Sequence, residues 1–193
     1  MGTNPNEAIT IDWGDSTTDT IYGDDYGWCM ASHQYSDSYL EYTITITGHQ
    51  FSLDLRYGGN YASYIRRVEA IASSITDCSY MFDSCYNLYD ISSDVVLPAN
   101  TTNCAYMFNG CTQLYISDIA TLFSSWNDIS IDRNIEYMFY MYGNGYDGNG
   151  NIFGTLPELW NYMNTTFSST SYAFYGCTNL NNYTDIPESW KNY

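Results

Sequence analysis

One pattern of apolar and polar residues recurs four times along the chain. The nine residues DCSYMFDSC at 77–85 return as NCAYMFNGC at 103–111, NIEYMFYMY at 134–142 and STSYAFYGC at 169–177. In the first copy, Cys78, Met81, Phe82 and Cys85 have the spacing of one buried face of a short helix. An Asp, Asn or Ser precedes each stripe, and such side chains accept the backbone N–H groups where a helix begins. The pattern therefore predicts four short helices.

The copies align on four phenylalanines, Phe82, Phe108, Phe139 and Phe174, which lie 26, 31 and 35 residues apart. A unit of this size cannot bury its apolar face alone, so neighbouring copies are expected to stack into a solenoid. Alternating residues after the first two copies predict a brief strand in each. The expected core of the stack comprises Met81, Phe82, Cys85, Met107, Phe108, Cys111, Met138, Phe139, Phe174 and Cys177.

The run S-Y-M-F-x-x-C-x-x-L resembles the repeat of the BspA-like bacterial surface proteins, a divergent leucine-rich-repeat family with a similar M-F-x-G-C-x-x-L core. The resemblance covers roughly residues 60–193, and the last copy differs chiefly by Ala173 in place of methionine. It implies a short leucine-rich-repeat-like α/β solenoid, which we assign to residues 58–193. In the third copy Tyr142 stands at the cysteine position, so an irregular coil is expected there.

The first part of the chain, residues 1–57, has the alternation of β-strands instead. Ile9, Ile11 and Trp13 lie on one side of a strand that ends in a G-D-S turn, and Tyr42, Ile44 and Ile46 alternate with threonines further on. Strand, turn and strand predict a small antiparallel β-domain. The whole chain is thus expected to be of mixed α+β class.

Three segments of this half resemble the PKD-type immunoglobulin-like fold. They are the turn Asp12-Trp13-Gly14-Asp15-Ser16, the run His33-Gln34-Tyr35 and the strand Tyr42–Thr47. The resemblance implies a β-sandwich that acts as a non-catalytic spacer or contact module. His33 is expected to be a structural hydrogen-bonding residue.

Charge narrows the range of partners. The chain of 193 residues has 5 Lys and Arg against 22 Asp and Glu, a net charge of −17. Nucleic acids and anionic membrane surfaces are disfavoured, because both bind through clustered basic residues. No apolar run approaches the ~20 residues of a membrane span, and no signal peptide is visible in the chain.

The six cysteines and the acidic residues do not match a catalytic or metal site. Cysteines within a copy lie seven residues apart, whereas zinc sites use pairs two to four residues apart. Cys78 with Cys104, and Cys85 with Cys111, occupy equivalent positions in neighbouring copies, and buried thiols are favoured over disulfides there. The motifs of common hydrolases and nucleotide-binding enzymes are missing. We therefore expect no enzymatic activity, no cofactor and no metal.

Tyrosine is abundant, with 22 residues interleaved with small polar ones. This composition is typical of recognition surfaces, although tyrosine is also a plausible filler in a thin solenoid. The glycine- and asparagine-rich insertion at 142–154 combines aromatic faces with amide donors, which suits neutral sugars or a protein loop. The candidate binding residues are Tyr140, Tyr142, Tyr146, Asn149 and Phe153.

These observations favour a non-enzymatic binding or adhesion module displayed outside the cell, on a bacterial surface or a phage virion. Its expected partners are a protein or glycan on a host or neighbouring cell, or other virion proteins. The alternative is a purely structural virion component, such as a capsid decoration or fibre protein.

Overall fold

The computed structural model describes residues 2–3, 7–25, 29–36, 40–48, 51–52, 54, 64–126, 131–140, 151–163 and 167–192. The chain divides into two compact units, residues 1–53 and 54–193. The division falls slightly before the predicted boundary after residue 57.

The first unit is built from antiparallel strands. Strand β2 (Ala8–Asp12) lies between β3 (Thr18–Tyr22) and β4 (Thr45–Thr47), and β1 (Gly2–Thr3) pairs with β5 (Phe51–Ser52). Ile9 and Ile11 are buried on one side of β2, as the alternation predicts. A full β-sandwich stays a prediction.

The strand expected at Tyr42–Thr47 is shorter than predicted. Only Thr45–Thr47 pairs with β2, and the side chain of Ile44, outside that ladder, is 40% exposed. Alternation alone does not bury a face where the pairing partner has already ended.

The turn after β2 has the tight geometry that its sequence indicates. The Gly14 N–H donates to Asp12 Oδ1 at 2.9 Å. Gly14 has φ of +79°, and a Cβ there would lie 2.6 Å from the carbonyl oxygen of Thr43. Glycine is therefore required by both backbone conformation and space. Ser16 also lies in the left-handed region, with φ of +73°.

His33 holds this turn in place. Its Nε2 lies 2.8 Å from Asp15 Oδ2, and its ring stacks on Trp13 with centroids 4.9 Å apart. The Tyr35 hydroxyl donates to the Trp13 carbonyl oxygen at 2.8 Å. His33 thus makes the structural hydrogen bond expected of it.

Within its described residues, the second unit contains short parallel strands and three short helices. Strands β6 (Arg67–Val68), β7 (Asp90–Ile91), β8 (Tyr115–Ile116) and β10 (Asn151–Ile152) form one sheet in the order β10-β8-β7-β6, and β9 (Arg133–Asn134) pairs with β11 (Phe167–Ser169). The helices are α1 (Ile119–Leu122), α2 (Leu159–Met163) and α3 (Glu188–Lys191), with a 3-10 helix at Tyr183–Asp185. Strands β7 and β8 lie where the sequence predicts a brief strand after each of the first two copies.

The prediction of a helix in each copy is wrong. The described residues of the four copies form successive tight turns, in which the Met81 N–H donates to the Cys78 carbonyl and the Cys85 N–H to the Phe82 carbonyl. These bonds reach back three residues, whereas the Phe82 and Ser84 N–H groups donate to the next copy instead. The predicted helix caps open a turn, since Asp77 Oδ1 accepts the Ser79 N–H at 2.9 Å. Asn103 and Asn134 do the same.

Backbone hydrogen bonds join each copy to the following one. The Cys78, Tyr80, Phe82 and Ser84 N–H groups donate to the carbonyls of Asn103, Ala105, Met107 and Asn109, at 2.7 to 2.9 Å. Equivalent bonds run from the second copy to the third and from the third to the fourth. The spacing of 26, 31 and 35 residues reappears in the pairs Asp77 with Asn103, Asn103 with Asn134 and Asn134 with Ser169. We call the residues at 77–85, 103–111, 134–140 and 169–177 the repeat stack.

A column of phenylalanines forms the centre of the repeat stack. The ring centroids of Phe82, Phe108, Phe139 and Phe174 lie 5.5, 5.3 and 5.5 Å from one ring to the next, and Trp190 of α3 continues the column 6.2 Å from Phe174. All ten residues predicted as repeat core are buried, namely Met81, Phe82, Cys85, Met107, Phe108, Cys111, Met138, Phe139, Phe174 and Cys177.

The third copy is more regular than predicted. Its inter-copy bonds continue as far as Tyr140, whose carbonyl accepts the Gly110 N–H at 3.0 Å. Since the register depends on backbone groups rather than on the cysteine, the departure at Tyr142 does not disturb the preceding residues. Tyr142 itself lies outside the described residues.

Candidate binding site

A column of tyrosines runs beside the phenylalanine column. Each copy has a tyrosine two residues before its phenylalanine, and Tyr80, Tyr106, Tyr137 and Tyr172 stack with ring centroids 4.9, 4.7 and 4.9 Å apart. The first two pairs are nearly parallel, with interplanar angles of 9° and 8°. All four side chains are half-buried. Because neighbouring rings cover one another's faces, their edges and hydroxyl groups are the parts left for a partner.

The backbone at these tyrosines is strained. Their φ angles lie between +54° and +58°, the left-handed region that bulky residues rarely adopt. Four residues further on, the equivalent positions also have positive φ but carry Ser84, Gly110 and Gly176, which are small. A tyrosine is therefore kept four times where a glycine would be less strained.

A second group of tyrosines extends the column in the last two copies. Tyr140 and Tyr175 lie one residue after their phenylalanines, with ring centroids 5.2 Å apart. Both rings also contact the column, because Tyr140 meets Tyr137 and Tyr172 edge-on, and Tyr175 meets Tyr172. We call these six residues, Tyr80, Tyr106, Tyr137, Tyr140, Tyr172 and Tyr175, the tyrosine face.

Carboxylates lie close to the tyrosine face. Partial burial raises the pKa of Tyr106, and the nearby negative charges of Glu136 and Asp83 raise it further. Asp83 is buried and accepts a hydrogen bond from Asn109 Nδ2 at 2.8 Å. Three basic side chains of this unit pair with other groups of the same unit. Arg67 pairs with Asp90, Arg133 with the Ala99 carbonyl, and Lys191 with Glu188. The charged side chains that act on Tyr106 are thus the carboxylates of Glu136 and Asp83.

The predicted binding residues lie only partly within the described part of the chain. Tyr140 belongs to the tyrosine face, whereas Phe153 is half-buried and packs on Tyr115 with ring centroids 5.4 Å apart. Tyr142, Tyr146 and Asn149 lie outside the described residues. The structure thus places the two described candidates against different tyrosines.

Sequence reasoning missed the tyrosine column although the signal was present. The tyrosine is identical in all four copies, like the phenylalanine, but the predicted helix placed it beside the apolar stripe with no defined neighbour. Only the sheet-like register between copies brings the four rings into contact.

The carboxylates of the turn after β2 have structural partners. Asp12 accepts the Gly14 N–H, and Asp15 Oδ1 accepts both the backbone N–H and the hydroxyl of Thr17, at 3.1 and 2.6 Å. The pKa of Asp15 is lowered by the hydrogen bonds that this carboxylate accepts, first from the Thr17 hydroxyl and then from His33. The carboxylates therefore stabilise a turn.

The part of the chain that the structure describes contains no cluster of three or more His, Cys, Asp or Glu side chains suited to a metal ion. None of its helices has the length and apolar character needed to cross a membrane. No protein-family model, curated protein or solved structure matches this chain.

Proposed function

We propose that the protein is a non-enzymatic binding module displayed on an outer surface, either of a bacterial cell or of a virion. In this proposal residues 54–193 are a short solenoid of the BspA-like kind, and the first unit is a PKD-like spacer. The observation that supports it is the tyrosine face, in which six partly exposed aromatic side chains are arranged on a regular backbone.

The physical argument starts from conformational cost. A tyrosine in the left-handed region costs on the order of 1–2 kcal/mol relative to an ordinary backbone. Ring stacking returns about 0.5–1.5 kcal/mol for each pair, so the three pairs of the column offset only part of the strain of its four tyrosines. The hydroxyl edges at the surface are then available for recognition, as tyrosines are in antibody-like contact surfaces.

Charge sets the class of partner. With a net charge of −17 the chain repels phosphate-rich and sulfated ligands. The ring faces within the column are covered by neighbouring rings. A protein or glycan contact is therefore expected to use the phenol edges and the neighbouring polar groups, such as Glu136 and Asn109.

The test compares variants of the tyrosine face with a matched control. Tyr106→Ser with Tyr137→Ser removes two rings of the column, and Tyr106→Phe with Tyr137→Phe removes only the hydroxyls. The control, Tyr22→Ser with Tyr89→Ser, removes two tyrosines that are 60% and 44% exposed elsewhere. Binding is measured to intact bacterial cells, to purified virions and to arrays of neutral and sulfated glycans.

We expect both tyrosine-face variants to lose at least tenfold in affinity, while the control binds like the unmodified protein. Equal binding by all variants would overturn the assignment of this face. If the unmodified protein binds no cell or glycan but is incorporated into virions, the alternative of a structural virion component replaces the proposal. Melting curves of each variant separate loss of binding from loss of folding.

A further inference from the structure

Two columns of cysteines accompany the aromatic columns, and they differ in what their thiols contact. The first column, four residues before the phenylalanines, contains Cys78 and Cys104, followed by Ile135 and Thr170. The second, three residues after them, contains Cys85, Cys111 and Cys177. All five cysteines are buried thiols.

Two thiols of the second column hydrogen-bond to backbone carbonyl groups. Cys111 Sγ donates to the Phe82 carbonyl oxygen at 3.1 Å, and Cys177 Sγ lies 3.7 Å from the Phe139 carbonyl oxygen. In both cases the acceptor is the phenylalanine of the preceding copy. These cysteines therefore act as weak donors that join neighbouring copies through a backbone carbonyl.

Thiols of the first column meet each other. Asp77 and Asn103 form a parallel bridge, and the Cys78 N–H donates to the Asn103 carbonyl at 2.7 Å. Cys78 and Cys104 therefore occupy the same position of neighbouring copies. Neighbouring strands lie ~4.8 Å apart, inside the ~4.4–6.8 Å range of Cα separations in disulfides. After burial, the nearby Cys78 thiol is the next cause that raises the pKa of Cys104.

We propose that Cys78 and Cys104 form a disulfide that joins the first and second copies when the chain folds in the presence of a small-molecule disulfide. One thiolate attacks the reagent and releases one small thiol. The other thiolate then attacks the resulting mixed disulfide and releases the second small thiol. The two cysteine thiols lose two electrons and two protons, and the reagent is reduced to two thiols. Cys85 and Cys111 stay reduced.

Burial decides when this reaction occurs. Removal from water, followed by the contact with Cys78, raises the pKa of Cys104, so the reactive thiolate is scarce in the folded protein. The exchange is therefore fast while the chain folds and slow afterwards. An oxidising exterior supplies the small-molecule disulfide that the reaction consumes.

The experiment is refolding from denaturant in oxidised and reduced glutathione, followed by alkylation under denaturing conditions, mass spectrometry and peptide mapping. We expect two of the six thiols to disappear and the mass to fall by two hydrogen atoms, with a single linked peptide containing Cys78 and Cys104. The oxidised protein should melt several degrees above the reduced one, since the closed loop restricts the unfolded chain.

Variants make the pairing specific. Cys85→Ala and Cys111→Ala should still lose two thiols, whereas Cys78→Ala and Cys104→Ala should keep all five that remain. Six reactive thiols in the unmodified protein, or a linked peptide containing Cys85 and Cys111, would overturn the proposal. Peptide mapping of the unmodified protein decides the pairing even if an alanine variant does not fold.

Discussion

The phenylalanine and tyrosine columns have the same origin but different surroundings. Both contain one ring from each copy, both follow the same backbone register, and their centroid spacings are similar, at 5.3–5.5 Å and 4.7–4.9 Å. Phe108 is fully buried, whereas Tyr106 is half-buried and has a left-handed backbone. Stacking is thus a consequence of register, and burial decides which column stabilises the fold.

The largest expected effect follows from emptying the buried column. Phe108→Ala, in the middle of the repeat stack, removes a ring that contacts Phe82 and Phe139. We expect a loss of about 3–5 kcal/mol in the free energy of unfolding, the usual cost of an emptied aromatic core site. Urea unfolding measures it, with Phe108→Leu as the volume-retaining control. A loss below about 1 kcal/mol would show that the column is not the core.

Replacing Tyr106 tests the balance between stacking and strain. Tyr106→Ala loses the two ring contacts but keeps the φ of +58°, and we expect a loss of about 2 kcal/mol. Tyr106→Gly loses the same contacts and relieves the strain, so the glycine variant should be the more stable by about 1 kcal/mol. The opposite order, the usual one in regular structure, would mean that the left-handed conformation is absent.

Gly110 offers a smaller test of the same backbone. It has φ of +70°, and an added Cβ would meet only ordinary contacts, the nearest being 3.7 Å from a Tyr86 ring atom. Gly110→Ala should therefore cost about 1 kcal/mol from conformation alone. Ser84→Gly, at the equivalent position of the first copy, should stabilise the protein in the same unfolding assay. Destabilisation by Ser84→Gly would contradict the equivalence of the two positions.

The smallest expected effect is on the melting temperature at alkaline pH, where tyrosine side chains can ionise and phenylalanine side chains cannot. Because the pKa of Tyr106 is raised in the folded state, its contribution to stability is complete below the tyrosine pKa of about 10 in unfolded chains. That contribution is lost as pH rises through the higher folded value. Tyr106→Phe should show a shallower decline in melting temperature above this pH than the unmodified protein. Identical slopes would show that Tyr106 ionises as freely as in the unfolded chain.

The sequence predicted the register of the repeat stack but not its local structure. The recurrence of Phe82, Phe108, Phe139 and Phe174 was sufficient to identify equivalent positions, because the repeats are aligned by their cores. The spacing of Cys78, Met81, Phe82 and Cys85 indicated a helix, yet successive turns at positive φ bury the same positions. Apolar spacing reports which side chains are inside and leaves open how the backbone places them there.

The candidate site was predictable only in part, for a related reason. Glycine often marks a turn residue at positive φ, as Gly110 does here. Tyrosine rarely adopts this conformation, so its presence in the sequence does not indicate such a turn. The insertion at 142–154 led to the prediction of Tyr142, Tyr146 and Asn149 as binding residues, and these three lie outside the described residues. In the first unit, Tyr42–Thr47 was predicted at full length because alternation does not reveal where a neighbouring strand ends.

The bonds between copies have a direction, and their direction makes the two ends of the repeat stack electrically different. Within the turns, alternate N–H groups of each copy point towards the following copy, and the carbonyls they meet point back. The peptide dipoles of these groups therefore add along the stacking direction, as they do along a helix axis. The first copy is the negative end and the fourth the positive end. At the fourth copy the Phe174 N–H donates to the carbonyl of Trp190, whose ring stacks on Phe174. Helix α3 therefore both caps the positive end of the stack and covers its apolar core.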